Sequence, residues 1–389
     1  MIAYNPQWLN NLLLRAQAEK AAAAHCISEE EKQAVFAAHP AGFYTPNVFV
    51  RVGLFILTVV ILVFGMGLIS LLFLSSGSEK IFGGMFVFFG LCFYGGLELM
   101  VSKNHYRSGV DDALLWTSAA CIIGGINALG PVAAEVNAVI VFFTASFLFL
   151  RFTNAVMAAI AALSLLALLF LVLTRWGPAA SAITPFVLMP AAALLYFLSK
   201  KLLRAPQWKQ YTDGLMLVAI TALVCIYVAG NYFVVREASI EMFNLSLAEG
   251  QDIPLGWLFW LFTLAIPLLY ILRGIQQKDA VLLRVGLLLV AAIVFTVRYY
   301  YHVLPAETAM VLGGILFIAI AYALIKYLHT PKHGFTYKEQ KADKNFMDRL
   351  QVESLVIAQT FSGPVQPGSD TGTRFGGGSG GGGGATGDF

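Results

Sequence analysis

The chain has 389 residues, of which 58% are apolar and 12% charged, and its 25 Lys+Arg against 22 Asp+Glu leave a net charge of +3. The charged share is about half that of an ordinary soluble domain. So much apolar surface exceeds what one soluble core absorbs, so the composition argues for an integral membrane protein and against a secreted disulfide scaffold, a soluble metabolic enzyme or a nucleic-acid binder.

Residues 1–48 are expected to form a cytosolic, partly amphipathic helical segment. Asn5 before Pro6 reads as a cap followed by an N1 proline, and a helix should run from there to about Ala24, with Trp8, Leu9, Leu12 and Leu13 on one side. Ser28-Glu29-Glu30-Glu31 has the spacing of a capping box and should open a second short helix that stops before Pro40. The region holds Glu19 and the Glu29–Glu31 run and has no apolar stretch before a small-residue cleavage site, so a cleavable signal is not expected.

Ten apolar runs follow within a transmembrane domain of residues 49–328: 49–74, 81–101, 113–129, 131–150, 152–174, 177–199, 213–235, 255–272, 280–302 and 305–328. Most match a hydrocarbon core ~30 Å thick at ~1.5 Å per helical residue. The expected fold is therefore all-α, a bundle of about ten transmembrane helices. The tight Leu129-Gly130-Pro131 join makes the third and fourth runs candidates for a helical hairpin. Asp111-Asp112 most simply caps the third run. Paired glycines at Gly83-Gly84, Gly95-Gly96, Gly124-Gly125 and Gly313-Gly314 favour close helix packing.

Basic residues set the orientation. With the N-terminus in the cytosol, twenty of the 25 fall in inside segments, among them Arg51, Lys103, Arg107, Arg151, Lys200, Lys201, Arg204, Lys209, Arg273 and Lys278. Only Lys80, Arg175 and Arg236 fall outside. That asymmetry is the positive-inside pattern; it favours an even number of spans and both termini in the cytosol. The longest outer loop, about 236–254, mixes acids with Ile240, Phe243, Leu245 and Leu247, as a short interfacial helix would. The tail, 329–389, begins with a stretch able to form an amphipathic helix, Lys338 to Phe361, and ends in Gly-rich sequence expected to be disordered.

Leu12 to Phe36, with Cys26-Ile27-Ser28-Glu29-Glu30-Glu31-Lys32-Gln33-Ala34 at its centre, is followed by Arg51-Val52-Gly53-Leu54 opening a Gly-containing span, and by Arg107-Ser108-Gly109-Val110-Asp111-Asp112-Ala113-Leu114-Leu115-Trp116. This order of parts, over about residues 1–130, resembles a family of bacterial polytopic membrane proteins catalogued only as a domain of unknown function. The resemblance implies a multi-pass fold in the cytoplasmic membrane. That family carries no agreed activity, so it implies no catalytic residue.

Chemistry must come from what is left inside the spans. Cys92, Cys121 and Cys225 lie in apolar runs and Cys26 stands alone near the N-terminus; no CxxC, zinc-ligand spacing, GxSxG or HExxH occurs, so neither a cofactor nor an enzymatic activity is expected. Ionisable residues within spans are functional candidates. Arg298 and His302 share a helix face, and a turn through Val303-Leu304 would bring Glu307 near them. With Glu135 at similar depth, these four are candidate members of an outer polar vestibule that binds substrate or passes protons. Glu98 and Arg284 sit near inner span ends. Pro185, Pro190 and Pro267 are candidate helix kinks of the kind that line transporter sites. Two functions fit: a carrier of a small solute or lipid-like molecule, or a non-transporting scaffold that recruits protein partners through the N-terminal helices or the C-terminal tail.

Overall fold

The computed structural model describes residues 2–72, 79–245 and 251–300, with single helical positions at 308, 314, 315, 318, 322 and 326. These lie in one compact unit, Met1–Ala342. The amphipathic and Gly-rich tail and most of the tenth apolar run fall outside the described residues.

Two short helices open the chain. Helix α1, Pro6–Ala23, starts where Asn5 accepts hydrogen bonds from the Gln7 and Trp8 amides. Helix α2, Glu29–Ala38, starts with a complete capping box: Glu31 N–H donates to Ser28 Oγ, and Ser28 N–H donates to Glu31 Oε2. Arg15 ties the two together by donating to the carbonyls of His39 and Phe36, each at 2.8 Å. Leu9 is buried as its spacing suggests, but Leu13 is exposed and the polar Asn11 is buried instead, because its amide donates to Pro40 O at 2.8 Å.

Nine helices among the described residues are long and apolar enough to cross a bilayer. They include α3 (Val48–Leu72), α4 (Glu79–Ser102), α5 (Val110–Leu129), α6 (Ala134–Phe152) and α7 (Ala155–Thr174). After the four-residue α8 (Pro178–Ser181) come α9 (Thr184–Leu203), a 3₁₀ turn at Pro206–Tyr211, α10 (Thr212–Gly230), α11 (Tyr232–Glu241), α12 (Gly256–Gln277) and α13 (Ala280–Tyr300). The chain is a multi-pass all-α membrane protein. Its outward faces fit that solvent: Phe49 is 80% exposed and Phe64 69%, on a helix of which nothing is buried. Ion pairs join the start of α3 to the start of α5 and the end of α4 to the end of α6, so these successive spans alternate in direction. One end of the bundle, called here the Arg51 end, gathers the N-terminal helices with Arg51, Arg107, Arg151 and Lys200. The other is the Glu135 end.

Three sequence expectations shift. The sixth run is not one span: α9 begins only at Thr184, so Pro185 sits in its first turn, where a residue without N–H costs nothing. Pro185 therefore starts a helix and does not bend one. The seventh run stops at Gly230, because Asn231 is extended (φ −76, ψ 128) and its side chain accepts from Val234 N–H to cap α11. The third and fourth runs are joined tightly, yet α5 packs chiefly on α4 and α6 chiefly on α7.

The α4–α5 seam explains the first of these pairings. A Cβ on Gly83 would lie 2.9 Å from Gly125 O, and one on Gly125 would lie 2.7 Å from Val87 N, so the two backbones touch through bare glycine. Their neighbours Gly84 and Gly124 face open space. Gly125→Val should therefore cost about 1–3 kcal/mol by overpacking, and Gly124→Val almost nothing. Thermal scans of both variants in detergent check this; equal melting temperatures would refute the seam.

Candidate functional site

The Arg51 end is a network of charges from five helices and the α4–α5 turn. Arg51 on α3 donates to Asp112 Oδ2 on α5 through Nη2 at 2.5 Å and Nε at 3.1 Å, and Asn154 Nδ2 donates to the other oxygen at 3.2 Å. Glu98 on α4 is gripped by Arg151 on α6 at 2.5 and 2.9 Å, while Tyr94 donates to it at 2.6 Å. Arg107, in the α4–α5 turn, pairs with Asp213 on α10 at 2.5 Å. Burial works against the Arg107 charge, but the Asp213 carboxylate beside it favours that charge, and the guanidinium stays protonated. Tyr4 and Tyr106 are packed edge-on at 4.9 Å, and burial pushes both phenols up. Glu98 thus finds its partner on α6, not at Lys103 or Arg107.

Asp111 and Asp112 do not act as a simple cap. The N-cap is Gly109, without a side-chain bond. Asp111, 3% exposed, instead gathers the turn before it: Arg107 N–H (2.7 Å) donates to Oδ2, and Ser108 N–H (2.8 Å), Ser108 Oγ–H (3.0 Å) and Gly109 N–H (3.2 Å) donate to Oδ1. Every acid in this network has a hydrogen-bond donor or a cation on it. The arrangement is a clamp, with no unpartnered acid or base poised to react.

At the Glu135 end, the two described candidates picked from sequence, Glu135 and Arg298, do not pair with each other. Glu135, in the first turn of α6, pairs with Arg175 just beyond α7 at 2.5 Å. The hydrogen bond from that carboxylate raises the Arg175 pKa. Arg298 is half-buried on α13 and has no ion-pair partner among the described residues. His302 and Glu307 lie outside the described residues. Asn127 donates to Asn137 at 2.9 Å. The tyrosines closing α13 are not a loose fringe: Tyr300 meets Tyr232 at 5.0 Å and Trp260 at 5.9 Å, and Tyr299 meets Phe233 at 4.8 Å. Beneath them Asn231 donates to Tyr227 Oη at 2.9 Å and Thr296 Oγ1 at 3.0 Å, and Tyr232 N–H donates to Thr263 Oγ1 at 2.9 Å, so side chains of α12 and α13 bond the break between α10 and α11.

Pro190 and Pro267 do lie inside their helices. Each removes one backbone hydrogen bond. Pro190 is exposed, whereas Pro267 is buried where α12 meets α13 at Gly286.

A groove not anticipated from the apolar runs lies between α9 and α12. Here α9 packs along α10, and α12 along α13. The two pairs leave a cavity of ≈ 1010 Å³, with Leu223 and Ile226 of α10 among its lining residues. Apolar residues such as Ala193, Phe197 and Leu269 form much of its lining, and Lys200, Arg204 and Arg273 stand at its Arg51 end. Lys200 is held by Asp279 at 2.5 Å, its ammonium 5.8 Å from the Tyr196 ring centroid. Burial opposes the Asp279 charge, but Lys200 and the amides of Val281 and Leu282 outweigh it and keep the carboxyl below its usual range. Arg204 and Arg273 are both exposed, and neither has an ion-pair partner among the described residues. The signal was in the spacing. Tyr196, Lys200 and Arg204 recur every four residues, and Tyr270, Arg273 and Gln277 at three and four, so each set lies on one helix face. Reading these bases only as orientation markers concealed it.

No family model, curated protein or solved structure matches the chain. Among the described residues no three His, Cys, Asp or Glu side chains converge to hold a metal ion.

Proposed function

We propose that this protein resides in the bacterial cytoplasmic membrane with both termini in the cytosol, and that it carries a lipid-like molecule. The groove between α9 and α12 carries the reading: an apolar cleft in a membrane-spanning bundle, open at its side and cationic at one end. Its volume lies at the upper end of small-molecule sites, which run to roughly 1,000 Å³. The basic residues crowded at the Arg51 end support the orientation. Residues 1–130, which resemble the bacterial polytopic family, support the location.

The test is lipid movement in vesicles. Full-length protein is reconstituted into vesicles bearing a fluorescent phospholipid, and an impermeant reductant reports how fast inner-leaflet label reaches the outside. Protein should accelerate that exchange, and Ala193→Trp, which fills the cleft, should slow it at least several-fold while the protein still elutes as a single species. Exchange no faster than in protein-free vesicles would overturn the carrier reading.

One observation favours the scaffold alternative. No residue of α2 is buried, and Glu29, Glu30 and Glu31 are exposed around its first turn, Glu29 paired with Lys32 and Glu31 with Ser28 N–H, so this end of the helix offers an acidic surface to a protein partner. Binding partners lost on deleting residues 25–39, with lipid exchange unaffected, would place recruitment there.

A further inference from the structure

The groove has an apolar floor and a charged mouth, and these ask for different parts of one ligand. On α9 the lining runs from Ala193 to Arg204, and on α12 from Leu269 to Gln277. At ~1.5 Å per residue the cleft is roughly 12–16 Å deep, about half of a ~30 Å hydrocarbon core. It therefore spans one leaflet, from the region of the headgroups toward the midplane. The floor residues Leu223, Ile226 and Leu282 offer nothing to a polar solute, and suit an acyl chain.

The mouth has a net positive charge. Asp279 answers Lys200 and is itself fixed as the cap of α13, accepting from Val281 N–H at 3.0 Å. That leaves Arg204 and Arg273, on opposite walls, without an acid among the described residues. Guanidinium groups bind phosphate in bidentate fashion and stay charged at any physiological pH. Gln277 adds a neutral donor at the same level.

We propose that Arg204 and Arg273 hold the phosphate headgroup of an anionic phospholipid from the adjoining leaflet, whose acyl chain lies in the groove between α9 and α12. This rests on the carrier reading and names its substrate class. Anionic glycerophospholipids are the selected occupant; the same lipid with a zwitterionic headgroup is discriminated against at the mouth and not along the floor.

The test is lipid binding to the full chain in detergent, followed by native mass spectrometry, with phosphatidylglycerol and phosphatidylcholine of identical acyl chains. Inorganic phosphate serves as the headgroup without the tail. R204Q/R273Q is compared with K201Q/K209Q, which removes two charges from the same end but from residues that do not line the groove. Phosphatidylglycerol should bind at least tenfold tighter than phosphatidylcholine. R204Q/R273Q should weaken it on the order of 30-fold, from about fivefold for each basic side chain near an anionic group. K201Q/K209Q should change it less than threefold, and millimolar phosphate should not displace it. Equal weakening by both double variants, or displacement by phosphate, overturns the headgroup site. Equal binding of the two lipids, both lost in Ala193→Trp, overturns it too but leaves the carrier reading standing. Undiminished binding in Ala193→Trp defeats both.

Discussion

Asp111→Ala should strip the folded protein of about 3–5 kcal/mol, the largest loss expected from removing one polar side chain here. Asp111 and Ser108 are both buried, at 3% and 0% exposure. The carboxylate accepts from three consecutive backbone amides and one hydroxyl. Alanine leaves three backbone amides facing a space without an acceptor, while Ser108 Oγ keeps only His105 Nδ1 at 3.1 Å, and each unmet buried donor costs about 1–3 kcal/mol. It also removes a negative charge from the first turn of α5, where the helix dipole favours one. Asp111→Asn separates these effects. It keeps an oxygen for Ser108 and Gly109 but turns an amide N–H₂ toward Arg107 N–H, so its loss should be intermediate. Thermal scans in detergent should show melting falling by roughly 5–10 °C for alanine and about half that for asparagine. An unchanged melting temperature in Asp111→Ala would mean that the turn is held by something else.

Gly109→Ala should be comparably damaging for a different reason. Gly109 has φ +93, a conformation that L side chains rarely adopt, and any Cβ there would run into the Arg51 carbonyl oxygen and approach Phe55 N at 3.1 Å. Both obstacles are backbone of α3, so no side chain can swing aside. Left-handed strain of about 1–2 kcal/mol adds to a clash worth about 1–3 kcal/mol. Because α3 would be pushed off α5, the Arg51–Asp112 pair should open as well. Gly130→Ala is the matched control: its φ of 172 is ordinary extended backbone and nothing lies within 4 Å of the added methyl. The expected outcome is a large drop in monodisperse yield for Gly109→Ala and none for Gly130→Ala. Equal yields would show that α3 tolerates displacement.

Local chemistry was readable from sequence, and distant chemistry was not. The Asn5 cap and the Ser28–Glu31 box involve residues two or three apart, so spacing alone specifies them. Nine apolar runs became nine long helices because hydrophobicity and length are properties of each segment by itself. Asn231 shows where that reasoning stops. It lies in a run apolar enough to be a single helix, yet its amide finds Thr296, 65 residues away, and that partner makes the break affordable. Likewise Glu98 lies near Lys103 and Arg107 in sequence but pairs with Arg151, because α4 and α6 bring those side chains together. Pro185 opens a helix and does not kink one for a simpler reason: a run of apolar residues does not show where its helix begins. The groove was hidden for a third reason. Its walls are separate helices, and a basic residue at a span end looks the same whether it marks topology or faces a cleft.

The contact between the first residues and α6 bears on the order in which the chain is made. Ala3 N–H donates to Arg151 O at 2.9 Å, and Tyr4 is buried against Tyr106 and Phe152. A ribosome adding ~5–20 residues per second needs roughly 7–30 s to travel from one partner of that bond to the other. Throughout that time four spans must enter the bilayer while the opening segment stays unattached on the side where it will dock. Residues 3 and 4 therefore wait for a partner made well after them, and a bulky group placed beside Tyr4 would meet its obstacle at that final step, after insertion and not during it.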